Sequence, residues 1–118
     1  MKKDIGYSDY AEEVLGVCGI PVSDDSMRQA EVMVAALQLF HLRSERHGDV
    51  WKASGWQGML VDARKKVERL WNEFMAQSEI PEDLDSAYDA INYLAFFIRA
   101  QHEDVGSTWN WGYDDRNG

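Results

Sequence analysis

The sequence predicts an all-α protein, a compact bundle of about four helices. Three observations carry that prediction. Apolar residues recur at three- and four-residue spacing in four segments, no stretch alternates cleanly enough to be read as a strand, and Gly, Pro or a polar break closes the segments. At 118 residues the chain suits one domain, with residues 1–101 as the helical body and 102–118 as an aromatic, polar C-terminal tail. A core of this size is modest, so a second subunit is expected to complete the cover of the apolar faces, making a homo-oligomer.

The first helix is predicted from Ser8 to about Val17, with Ser8 or Asp9 as N-cap and Glu12 three residues after Asp9, the spacing of a capping box. Gly19 and Pro21 end it. The second begins near Ser23 to Ser26 and runs to about Arg46, because Met27, Ala30, Val34, Leu37 and Leu42 keep a helical period and Gly48 is a natural stop. Residues His47 to Gly55 read as a loop or broken turn. The third helix runs from roughly Trp56 to Gln77, with Leu60, Ala63, Val67, Leu70, Trp71 and Phe74 as its core stripe. Ser78 to Glu82 breaks it. The fourth starts near Asp83 or Asp85 and continues to about Gln101, and its Leu84, Ala87, Tyr88, Ile91, Leu94, Ala95 and Ile98 form a nearly heptad repeat that predicts close packing on another helix. The tail, with Trp109, Trp111 and Tyr113, is poor helix material; it is either disordered or docked through its rings.

A net charge of −9 argues against nucleic acid polymers and anionic membrane surfaces as partners, since Lys and Arg clusters hold both. A small phosphorylated ligand needs only a local basic cluster. The lone Cys18 excludes an internal disulfide and a multi-cysteine zinc site, and as a free thiol it is expected to be a semi-buried filler. Neither a signal peptide nor a membrane-spanning apolar stretch is visible, so a cytoplasmic location is expected.

Two helices carry polar stripes beside their apolar ones. On the fourth, Asp85, Asp89, Asn92, Phe96 and Arg99 share one face. Asp85 and Asp89, one turn apart, suit a hard cation such as Mg2+, and Asn92 suits a phosphate or base edge; the alternative is a solvated face with Asp at the positive helix end. On the third, Asp62, Lys66, Arg69 and Glu73 recur at the same spacing. Their plain reading is exposed pairing such as Asp62 with Lys66 and Lys65 with Glu68. The functional one has Lys66 and Arg69 holding phosphate oxygens, Arg as a planar fork and Lys as a point charge. His41 and His47 lack zinc-ligand spacing. Trp51 and Trp56 suit either base stacking or plugging the core.

At these residues the chain resembles a small helical family of phages and bacteria, the nucleotide modification associated domain 1, and more distantly the MazG-type all-α nucleoside triphosphate pyrophosphatases. The resemblance rests on His47, Gly48, Asp49 and Trp51, on Lys66, Arg69 and Leu70, and on Asn92 and Tyr93; it spans about residues 41 to 100. It implies a MazG-like nucleotide-handling fold, often oligomeric, in which acidic residues on neighbouring helices hold Mg2+ against a triphosphate, and a host cytoplasm if the chain is phage-encoded. This chain departs from the MazG pattern. The usual Glu-x-x-Glu is replaced by Lys66-x-x-Arg69 and the usual Glu-x-x-Asp by Asp85-x-x-x-Asp89.

Three expectations follow. One is a nucleotide-binding Mg-dependent pyrophosphohydrolase, with Asp85 and Asp89 on the metal and Lys66 and Arg69 on phosphate. Asn92, Tyr93, Trp51 and His47 would then contact the nucleotide, and Glu68 or Glu73 would act as further ligand or base. Another is a non-catalytic binder that sequesters a nucleotide or cyclic nucleotide signal, a counter-defence sponge if the chain is from a phage. The last is a helical interaction or assembly module whose polar stripes make intersubunit salt bridges, a reading the aromatic tail favours because Trp and Tyr are enriched at interface anchors.

Overall fold

A computed structural model describes residues 5–47, 51–77, 84–103 and 106. The protein is all-α, with four helices and no strand among the described residues: α1 (Ser8–Cys18), α2 (Asp24–His47), α3 (Trp51–Gln77) and α4 (Asp85–His102). No helix among them is long and apolar enough to cross a membrane. The chain groups into two units, Met1–Leu42 and Arg43–Gly118, whose boundary falls inside α2. The stretches 48–50 and 78–83 and the tail aromatics Trp109, Trp111 and Tyr113 lie outside the described residues, so the expectations placed on Gly48, Asp49 and the tail find no structural account.

In the first unit, α1 enters through a backbone device rather than the expected side-chain cap. Tyr7 is left-handed at φ 65°, directly after Gly6 at φ 88°. The turn brings the Tyr7 carbonyl within 2.9 Å of the Ala11 amide, and no side chain caps the helix. Ser8 is thereby already in the first turn, so neither Ser8 nor Asp9 is the N-cap. At the other end Gly19, at φ 71°, closes α1 in the manner of a Schellman motif. Its amide donates to the Gly16 carbonyl at 3.2 Å and the Ile20 amide to that of Leu15 at 2.9 Å. The start of α2 is capped reciprocally: the Ser26 amide donates to Ser23 Oγ at 3.0 Å and the Ser23 amide to Ser26 Oγ at 2.8 Å, a capping box with serine in the usual Glu position. Ala11 and Leu15 pack against Ala30 and Met27 to form this unit's small core. Cys18 is exposed, not the filler expected of it, because it sits in the last turn of α1 beyond the buried Leu15.

In the second unit, α3 and α4 pack on each other. They run antiparallel, since Trp56 near the start of α3 meets Phe97 near the end of α4 while Lys66, further along α3, meets the earlier Asp89. The third helix starts at Trp51, five residues before the expected position, and its regular course is broken at Gly55, with φ 70° and ψ 178°. That conformation is essentially confined to glycine. Gly55→Ala should therefore lower stability by about 1–2 kcal/mol, read as an earlier denaturation midpoint in tryptophan fluorescence. An unchanged midpoint would show that the break tolerates a side chain.

The core of this unit is Met59 and Ala100, with Trp56, Tyr93, Phe96 and Phe97 around them. Trp56 and Phe97 meet edge to face, with ring centroids 6.1 Å apart. Trp56 is thus a core plug. Of the stripe expected to be core on α3, only Ala63 is buried and Leu70 half-buried; Leu60, Val67, Trp71 and Phe74 are exposed. On α4, Leu84, Leu94, Ala95 and Ile98 are exposed as well, while Ala87, Tyr88 and Ile91 are half-buried. The face of α4 that turns inward holds Asp89, Ala90 and Ala100, all buried, with Tyr93 and Phe97 half-buried between them. Alanines at the contact admit close backbone approach, and the aromatic rings fill the gaps beside them.

Candidate functional site

The polar stripe of α4 belongs in part to this inward face. Asp89 is 7% exposed, and Asn92, Phe96 and Arg99 are half-buried, whereas Asp85 is exposed at the N-terminal end. Burying a carboxylate is costly unless charged donors meet it. Two do. Arg43, in the last turns of α2, donates Nε to Oδ1 at 2.9 Å and Nη2 to Oδ2 at 3.3 Å. Lys66 of α3 brings its Nζ to 3.1 Å from the same Oδ2.

The cluster therefore joins three helices through one carboxylate and carries one more positive than negative charge. The side chains of Arg43 and Lys66 are 45% and 27% exposed, so the cations are reached from solvent while Asp89 is not. The expected Asp62–Lys66 pair along α3 is replaced by this cross-helix contact, because the two cations compensate a buried acid where Asp62 offers only a local, half-buried one. Glu68 likewise pairs with Arg64 at 2.8 Å rather than with Lys65.

Other expected site residues are spread around this cluster. Arg69 is exposed on α3, one turn beyond Lys66, and Glu73 is half-buried another turn on. Tyr93 is half-buried and packs in the core around Met59 and Ala100, its ring 6.4 Å from that of Phe96. His47 ends α2 and Trp51 begins α3. Among the described residues no group of three or more His, Cys, Asp or Glu side chains is placed to hold a metal ion. As held, both Asp89 oxygens face cations.

Comparison with known proteins yields no relative. No family model, no curated protein and no solved structure matches the chain.

The residue that sequence reasoning missed is Arg43. Its signal was faint: a cation four residues before His47, separated from Asp89 by 46 positions. At the far end of α4, Arg99 stacks over the Phe96 ring at 5.7 Å and grips Glu103 with Nε at 2.6 Å and Nη2 at 3.2 Å. The hydrogen bond from Arg99 holds the Glu103 carboxyl below its ordinary pKa, and the charges of Arg99 and Lys52 act in the same direction. A depressed carboxyl stabilises the fold above its ordinary pKa and loses that contribution as pH falls through the lowered one. Arg99→Gln should accordingly move the Glu103 titration midpoint upward in carboxyl NMR; an unmoved midpoint would place its cause elsewhere.

Proposed function

We propose that this chain is a nucleotide-binding module that grips phosphate beside the α3–α4 seam and retains its ligand uncleaved. One observation carries this reading: Asp89, one of the two carboxylates suited by sequence to a metal, is held by Arg43 and Lys66, and the cluster they form stays cationic in a chain of charge −9. A metal-free phosphate site needs donors and positive charge, which this cluster supplies. The resemblance of residues 41 to 100 to nucleotide-handling helical families supports the same ligand class. Lys66 and Arg69 take the phosphate, and Asn92, Tyr93, Trp51 and His47 are the candidates for sugar and base.

The test is to incubate the full chain with ribo- and deoxyribonucleotides and cyclic nucleotides, first with Mg2+ and then with chelator, and to analyse free and bound small molecules by mass spectrometry. Unchanged nucleotide retained in chelator supports the proposal. Monophosphate and pyrophosphate formed only with Mg2+ would replace it with the hydrolase, using Asp85 and Asp89 as metal ligands and Glu68 or Glu73 as further ligand or base.

A second reading, homo-oligomeric assembly, is favoured by the exposed stripe of Leu60, Val67, Trp71 and Phe74 on α3. Trp71 and Phe74 lie with ring centroids 5.6 Å apart and are 60% and 42% exposed, an unusual outlay of aromatic surface for a face meeting only water. Light scattering on the wild type and on Trp71→Glu separates the possibilities: a particle of more than one chain that dissociates on substitution supports assembly, and a single-chain mass excludes it.

A further inference from the structure

Among the described residues, Arg43 bonds through one edge only. A guanidinium carries five N–H donors in one plane. The bonds to Asp89 come from Nε and Nη2, the side of the fork. This leaves the end of the fork, one N–H of Nη1 and the second of Nη2, pointing away from the carboxylate as a parallel pair. Lys66 approaches the same Oδ2 that Nη2 contacts, and only one of its three donors is used there. Asp89 thus holds two cations side by side, fixes the plane of one, and leaves both with donors directed elsewhere.

Resting on the nucleotide-binding reading above, we infer that Arg43 and Lys66 together form a subsite for a terminal phosphate, one with three unesterified oxygens, and that Arg43 is its principal ligand. Charge decides the class, with the oxygen count beside it. The end of the Arg43 fork takes two oxygens bidentately and Lys66 takes a third, a demand that a phosphomonoester or a terminal pyrophosphoryl group meets. A cyclic phosphodiester brings a single negative charge to the two cations, whereas an open terminal phosphate brings up to a second charge and a third oxygen, so the open form compensates the cationic pair more fully. The ligand class is therefore a nucleoside 5′-phosphate with an open terminal phosphate, and the discrimination is against cyclic nucleotides.

The experiment measures affinity of the full chain, in chelator, for inorganic pyrophosphate and for 5′-monophosphates alongside the 3′,5′-cyclic monophosphates of the same nucleosides, by calorimetry. The wild type should prefer the open phosphate by about tenfold, the factor given by one additional charge-assisted contact. Arg43→Lys keeps the charge and loses the fork, so the preference should collapse while weak binding of both forms persists. Arg43→Gln should weaken pyrophosphate by about tenfold or more, with Arg46→Gln, an exposed neighbour on the same helix, as the unaffected control. Circular dichroism checks that each variant is helical, and Arg43→Lys carries the test if Arg43→Gln does not fold. Binding that ignores both Arg43 substitutions, or cyclic forms bound as tightly as open ones, overturns this inference and leaves the nucleotide-binding reading standing. A wild type that binds none of the probes overturns both.

Discussion

Replacing Asp89 with alanine should destabilise the second unit by about 2–3 kcal/mol, somewhat below the usual cost of breaking a buried ion pair because Arg43 and Lys66 are partly solvated. The loss has two sources. The substitution removes the acceptor of two Arg43 bonds, and it leaves two cations facing each other with no anion between them. Arg43→Ala alone should cost about 1 kcal/mol or less, since a half-exposed guanidinium is readily replaced by water and Lys66 still compensates the carboxylate. Pairing Asp89→Leu with Lys66→Met should recover part of the loss, because well-packed apolar groups often serve as well as a buried pair. All five tryptophans fall in the Arg43–Gly118 unit, so tryptophan fluorescence in a urea titration reports on this unit. An Asp89→Ala midpoint equal to wild type would mean that the cluster contributes nothing to folding.

Met59→Ala should have an effect at least as large, about 3 kcal/mol within the 2–5 kcal/mol span typical of truncating a buried methionine. Met59 is 2% exposed and sits at the centre of the ring formed by Trp56, Tyr93, Phe96 and Phe97 against Ala100. Alanine at 59 opposite alanine at 100 leaves a void that large, rigid rings cannot close without losing their edge-to-face contacts. Met59→Leu, which nearly conserves volume, should cost less than about 1.5 kcal/mol. The contrast between the two variants is the diagnostic. Equal losses would indicate that methionine's shape rather than its volume fills the site.

These two residues show where sequence reasoning reached and where it stopped. Asp89 was found by its place on a polar stripe, yet its partners were not, because a carboxylate at helical spacing looks the same whether it faces water, a metal or two cations. Arg43 was invisible as a site residue: its side chain meets a carboxylate 46 positions away, which no local spacing encodes. Met59 lies off the stripe of Leu60, Ala63 and Val67, one position from it on the helix. A shift of one residue turns a helix face by about 100°, enough to move a side chain from solvent to core.

What the sequence by itself determined is the set of helices and several of their ends. Repetition every three to four residues is a local property, and so are the Ser23–Ser26 cap, the Gly19 closure and the Gly55 break, each fixed by backbone geometry within a few residues. Only the tertiary structure decided which face of α3 and of α4 turned inward. Both helices carry more apolar surface than one neighbour can cover, and burial strength alone does not choose between two such faces. Close approach does: Ala63, Ala90 and Ala100 are buried, and Ala100 and Met59 pack against the rings of Trp56, Tyr93, Phe96 and Phe97. Asp89 is carried inward with that face, and its charge then recruits Lys66 and Arg43, because a carboxylate withdrawn from water is stable only when cations and hydrogen-bond donors replace the water it lost.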